Sequence, residues 1–79
     1  MWNFYNGFKV DGAEELGIST RHLEACMNDR TKQLAPVDYS YFGKTVSSGT
    51  VKVQTKIGAV RIDFKEKSGW IQSCTVERI

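Results

Sequence analysis

Proline occurs once in these 79 residues, histidine once and cysteine twice, and no apolar run is long. Each scarcity excludes something. One proline and seven glycines are too few for a linker or a low-complexity segment. Short apolar runs leave no transmembrane span. Met1-Trp2-Asn3-Phe4-Tyr5 has neither the basic start nor the long apolar stretch of a secretory leader. A cytoplasmic protein with no membrane partner is therefore expected. Cys26 and Cys74 stand far apart on apolar positions and do not make a disulfide scaffold. Buried, reduced thiols are the expected state, with a bond between the two left open. His22 has no orienting partner and no nucleophile at a telling spacing. Cys-x-x-Cys, paired histidines, a carboxylate cluster and a glycine-rich phosphate loop are all missing. The chain is accordingly read as a non-enzymatic binding protein with no catalytic residue, no metal site and no cofactor.

What remains is the composition of an ordinary small globular domain, 41% hydrophobic and 25% charged. Charge is uneven along it. Residues 1–40 hold four basic and six acidic residues, whereas residues 41–79 hold seven and three. The basic character belongs to the second half.

Trp2, Phe4, Phe8 and Val10 alternate with polar neighbours, the period-2 signature of a half-buried strand with a weak point at Gly7. Asp11 with Glu14 has the spacing of a capping box, and Gly17 suits a C-cap, which predicts a brief first helix. Ser19 offers a second N-cap, and Leu23, Cys26 and Met27 recur at helical spacing. This second helix should end near Lys32, before Pro36. Everything after Pro36 reads as strand and turn. Gly58-Ala59 fits a two-residue type II′ turn that pairs Ile57 with Val60 and Val53 with Phe64. Lys67-Ser68-Gly69 reads as a three-residue loop with Gly69 left-handed. Trp70, Cys74 and Val76 would follow on the apolar face, with Ile71 pointing away. The expected fold class is α+β: an N-terminal strand, two short helices and a C-terminal β-meander, the helices packed on a small antiparallel sheet. One domain, residues 1–79, accounts for all of it.

The segment from Ala13 through Gly17 to Cys26 resembles a helix-turn-helix. A small residue, Ala13, stands four before a turn glycine, Gly17, and Leu16, Ile18, Leu23 and Cys26 occupy the apolar positions. The continuation through Asn28-Asp29-Arg30 to Leu34-Ala35-Pro36-Val37 is similar to small excisionase- or MerR-type winged helices. That resemblance implies a DNA-binding regulator of phage or mobile-element type. Ser19, Thr20, Arg21 and Asn28 would lie at the groove, and Lys52, Lys56, Arg61 and Lys65 would hold phosphates. In the expected register those four form the outward pairs Lys56–Arg61 and Lys52–Lys65, extended by Lys44 and Lys67. Edge protection by lysine is the plainer reading of the same pattern.

A second function class stays open beside the first. Tyr39, Tyr41 and Phe42, next to Lys44, have the composition of a protein-binding hot spot. They would suit a small stoichiometric inhibitor or accessory factor, of the phage anti-defence type, acting on a partner with an acidic surface. A small nuclease or toxin built around His22 is the third reading.

Overall fold

The computed structural model describes residues 2–42 and 46–79, with the side chains of Tyr41 and Phe42 left out. Five strands make one mixed sheet: β1 (Asn3–Asp11), β2 (Asp38–Phe42), β3 (Val46–Thr55), β4 (Gly58–Lys67) and β5 (Trp70–Arg78). Their order is β1-β5-β4-β3-β2. Strands β2 to β5 form an antiparallel meander, and β1 adds to β5 in parallel. A single α-helix, α1 (Thr20–Asn28), and a short 3-10 turn (Arg30–Lys32) lie between β1 and β2.

This corrects the expectation of two helices on a small antiparallel sheet, and with it the helix-turn-helix and winged-helix architecture. The first helix does not form. Asp11 is the last residue of β1 rather than a cap, and Gly12 (φ 90°) and Gly17 (φ 72°) are both left-handed. Only four residues lie between those glycines, too few to repay helix nucleation. Ala13 to Gly17 instead make one turn, closed by Ile18 N–H to Ala13 C=O (2.9 Å) and Gly17 N–H to Glu14 C=O (3.0 Å). That pair of bonds is the Schellman pattern, so Gly17 performs its capping role on a single turn. Gly12 is obligatory for a second reason: a Cβ there would collide with the Val76 carbonyl oxygen.

Helix α1 follows the sequence more closely. Ser19 Oγ accepts the His22 N–H (3.1 Å), and Leu23, Cys26 and Met27 are buried. The helix stops at Asn28, short of Lys32, because Asp29 turns to cap the next segment. Its carboxylate accepts from the Thr31 N–H (3.0 Å) and hydroxyl (2.6 Å), which starts the 3-10 turn.

The β3–β4 hairpin differs from expectation in register. Thr55 pairs with Gly58 and Val53 with Val60, so the turn is Lys56-Ile57 rather than Gly58-Ala59. Thr55 Oγ1 clamps it, donating to Gly58 C=O (2.8 Å) and accepting from Ile57 N–H (3.2 Å). Gly58 (φ 111°) supplies the positive φ at the closing position of the turn. At the other end of β4, Ser68 (φ 53°) and Gly69 (φ 85°) make a two-residue loop with both residues left-handed, the type I′ geometry, where three residues were expected.

A bulge at Gln72 then shifts β5 against β4, since Lys65 pairs with Ser73 but Glu66 pairs with Ile71. The extra residue exchanges the faces of its neighbours. Ile71, expected to point away, is fully buried, and Trp70, expected in the core, is 48% exposed.

The core is the layer between α1 and one face of the sheet. Leu23 and Met27 pack there with Val51, Val53, Val60, Ile62, Phe64, Ile71, Cys74 and Val76. Both cysteines are free and buried. The strand side chains that alternate with these core residues, among them Lys9, Thr50, Lys52, Asp63, Lys65 and Thr75, project from the other face, which no described element covers. Among the described residues, no helix is long and apolar enough to cross a membrane.

Candidate nucleic-acid interface on the open sheet face

Residues paired across a sheet point the same way, so the registers arrange the open face in rows. One row is Asp11, Thr75, Asp63, Thr50 and Asp38, running from β1 across to β2. The next is Lys9, Ser73, Lys65, Ser48 and Ser40. A third holds Asn3, Trp70, Lys67 and Val46. On the far side of the aspartate row stand Glu77, Arg61 and Lys52.

The electrostatics divide this surface in two. Around Arg61 it is self-neutralised: the guanidinium meets Glu77 through Nη2 and Asp63 through Nε (3.6 Å), and Thr50 Oγ1 donates to Asp63 (2.7 Å). Arg61 is thus committed to carboxylates. Lys9, Lys65 and Lys67, in the two rows beyond, make no ion pair among the described residues. Those two rows contain no acidic residue.

Two exposed aromatic residues join the lysines. The Gln72 bulge turns Trp70 outward, and Tyr5 takes the open face because it follows Phe4, which pairs with buried Ile71. Between Phe4 and Lys9 the register slips against β5, with Gly7 left-handed (φ 84°). Phe4 and Phe8 close together behind it at 5.0 Å, leaving Tyr5 54% exposed. Tyr5 and Trp70, with Asn6, Lys67, Ser68 and Gln72, line an open groove of about 610 Å³. Hydroxyl groups of Ser48 and Ser73 continue away from it beside Lys65.

The residues singled out from sequence fall on different surfaces. Lys52, Arg61 and Lys65 are on the open face, in the pairs Lys52–Arg61 and Ser48–Lys65. Lys56 sits in the β3–β4 turn, its N–H donating to His22 Nε2 (3.4 Å). Ser19, Thr20 and Arg21 lie at the start of α1, on the opposite side of the sheet from Lys52 and Lys65. Asn28 is occupied structurally, holding the Trp2 backbone through both amide atoms (2.7 and 3.3 Å). Tyr39, on the edge strand β2, accepts a hydrogen bond from Trp2 Nε1 (2.9 Å) and meets Phe64 edge-on at 5.8 Å. Tyr41 and Phe42 contribute backbone to β2; their side chains, and Lys44, lie outside the described residues. Trp70, Tyr5 and Lys9 were not expected at a site. A bulge is needed to expose Trp70, and a bulge has no signature in period-2 alternation; Tyr5 and Lys9 stand on the polar side of the β1 alternation, but nothing in the sequence marked them as a site.

His22 and the thiols are held in packing roles. Cys26 Sγ lies 3.5 Å from the His22 nitrogen that also accepts from Lys56. Burial pushes the Cys26 thiol up, and pushes Cys74 up to about 12. Raised thiols are poor nucleophiles. No group of three or more His, Cys, Asp or Glu side chains converges among the described residues.

Comparison with protein-family models, with characterised proteins and with solved structures finds no match.

Proposed function

We propose that this protein is a non-enzymatic, cytoplasmic binder of single-stranded nucleic acid, and that the open sheet face is the binding surface. The observation carrying this reading is the corner where exposed Trp70 and Tyr5 stand beside Lys65, Lys67 and Lys9 with no acidic residue in their rows. Unstacked bases lie on aromatic rings, and lysines follow the backbone. Serine hydroxyls along the same row supply donors for phosphate and sugar. An open single layer suits a single strand better than a duplex groove, because the aromatic rings would otherwise face paired, stacked bases.

The test is anisotropy of a labelled ten-nucleotide single strand at several salt concentrations, with a duplex of the same sequence as control. Three lysine–phosphate contacts should give a slope of about −2 in log K against log salt. Lys65→Glu with Lys67→Glu should remove binding while the thermal melt stays close to wild type. Tighter binding to the duplex, or undiminished binding by the double variant, overturns the reading.

A partner protein is the second reading, favoured by β2, which is paired with β3 on one side only. A strand of the partner would add to that edge. Loss of partner capture on substitution within Asp38–Phe42, with the lysine variants unaffected, would mark it.

A further inference from the structure

On the helix side of the same sheet a second groove, of about 990 Å³, opens between the end of α1 and the β4–β5 turn. Trp2 and Tyr39 line it together with Arg30, Gln33, Glu66 and Gly69. Its aromatic wall is pre-set: Asn28 clamps the Trp2 backbone, and the Trp2 indole N–H is bonded to the Tyr39 hydroxyl. Two buried side-chain atoms lack a hydrogen-bond partner among the described residues, Arg61 Nε on the open face and Glu66 Oε1 here. Glu66 is half-buried, and its carboxylate makes no ion pair among the described residues. A buried acceptor left unpaired is costly, and a carboxylate more so than a neutral group. A turn of the half-buried Glu66 side chain toward the groove it lines would let an N–H donor from outside meet the carboxylate.

We propose that this groove holds a guanine base, with Glu66 reading its Watson–Crick edge, Trp2 and Tyr39 walling its ring, and Arg30 meeting the attached phosphate. Among the nucleobases, guanine alone presents two adjacent N–H donors, N1–H and the 2-amino group, with no acceptor between them. Adenine and cytosine set a ring acceptor beside their amino donor, and uracil flanks its N–H with two carbonyls; a carboxylate repels both arrangements. Arg30 is exposed and supplies the positive charge that a mononucleotide's phosphate needs.

The groove adjoins the lysine corner through the β4–β5 turn. Glu66 and Lys67 are consecutive, and Gly69 borders this groove while Ser68 borders the other. A single strand rounding that turn would place one base in the groove, so the proposal rests on the single-strand reading for its biological sense. Its test does not.

Free guanosine, inosine and adenosine 5′-monophosphates are titrated into the intact protein, and the indole N–H resonances of Trp2 and Trp70 are followed by NMR. Guanosine monophosphate should shift Trp2 and bind about tenfold or more tighter than either of the others, since inosine lacks the 2-amino donor. Glu66→Gln should erase that preference, and Arg30→Ala should weaken all three nucleotides alike. An oligothymidine titration on the Glu66→Gln protein reports the lysine corner separately and should be unchanged. Equal affinities on the wild-type protein, no Trp2 shift, or a Glu66→Gln variant that keeps the guanine preference each overturn the proposal. Oligothymidine failing to bind any variant, while guanosine monophosphate still shifts Trp2, would remove the sheet-face reading and leave the groove.

Discussion

The two faces of one sheet carry opposite burdens in this molecule. In β3, Val51 and Val53 are fully buried while Lys52 between them is exposed. In β4, Ile62 and Phe64 are buried, and Asp63 between them bonds Thr50 on the outside. The helix-covered face is apolar and holds the fold together. The open face is hydroxyl-rich and charged, and its loss should cost recognition rather than stability. The comparison can be broken by finding a stability effect on the open side or a silent change on the covered one.

The largest effect is expected on the covered side. Leu23→Ala removes a fully buried side chain from the α1–sheet contact and should destabilise the protein by about 2–5 kcal/mol. Denaturant melts measure this, and a midpoint equal to wild type would show that α1 does not hold the sheet. Next comes an alkaline effect from the same layer. Cys74 titrates near 12 in the fold because burial opposes its thiolate, against about 9 for the free thiol. A raised acid pKa means the unfolded chain loses its proton first. Stability is therefore intact below pH 9 and falls between 9 and 12, by on the order of 1 kcal/mol per pH unit. Cys74→Ala should flatten that part of the stability profile relative to wild type; an unchanged slope would assign the alkaline loss to other groups.

On the open side, Trp70→Ala should weaken single-strand binding by about 1–3 kcal/mol, the worth of one stacked base. Its thermal melt should stay near that of the wild type, because Trp70 is already half exposed. A large drop in melting temperature would move Trp70 to the structural side of the comparison. The smallest effect belongs to the ion pairs. Glu77→Gln removes one exposed partner of Arg61 and should cost less than about 1 kcal/mol, fading as salt rises. Arg61, left with Asp63 alone, should also strengthen oligonucleotide binding slightly, measurable in the same anisotropy titration.

The faces taken by Val51 to Gln54 in β3 and by Val60 to Phe64 in β4 were legible from alternation alone, and so was the buried stripe of α1 behind its Ser19 cap, whereas Ser47-Ser48-Gly49 reads as a loop and is strand. The partner of each residue was not. Moving from the expected pairing of Val53 with Phe64 to the observed pairing with Val60 changes the register by an even step, so every side chain keeps its face. Hydrophobic pattern is blind to that difference. The Thr55 clamp decides it, through a hydroxyl bond that no periodicity encodes. Helical punctuation misled in a related way. Gly17 caps, as its position suggests, but Gly12 is needed to end β1 under Val76, and a capping-box spacing cannot tell these uses apart. The candidate site was legible only in part: Lys65 and Lys67 stood out and alternation put Tyr5 and Lys9 on the polar side of β1, but Trp70 is exposed by one inserted residue that no alternation shows.

The parallel seam between β1 and β5 carries a consequence for the order of folding. Asn3 meets Trp70 and Asp11 meets Thr75, so each contact spans more than sixty residues of chain. The meander's hairpins close short loops and can form early; this seam closes a loop nearly as long as the chain and should form last. During synthesis β1 emerges before β5 and waits for it, its Phe4 and Phe8 without their packing partners in the meantime. The interval before β5 arrives is therefore when this chain is most exposed to misassembly. Substitutions that speed the meander alone should leave that interval unchanged.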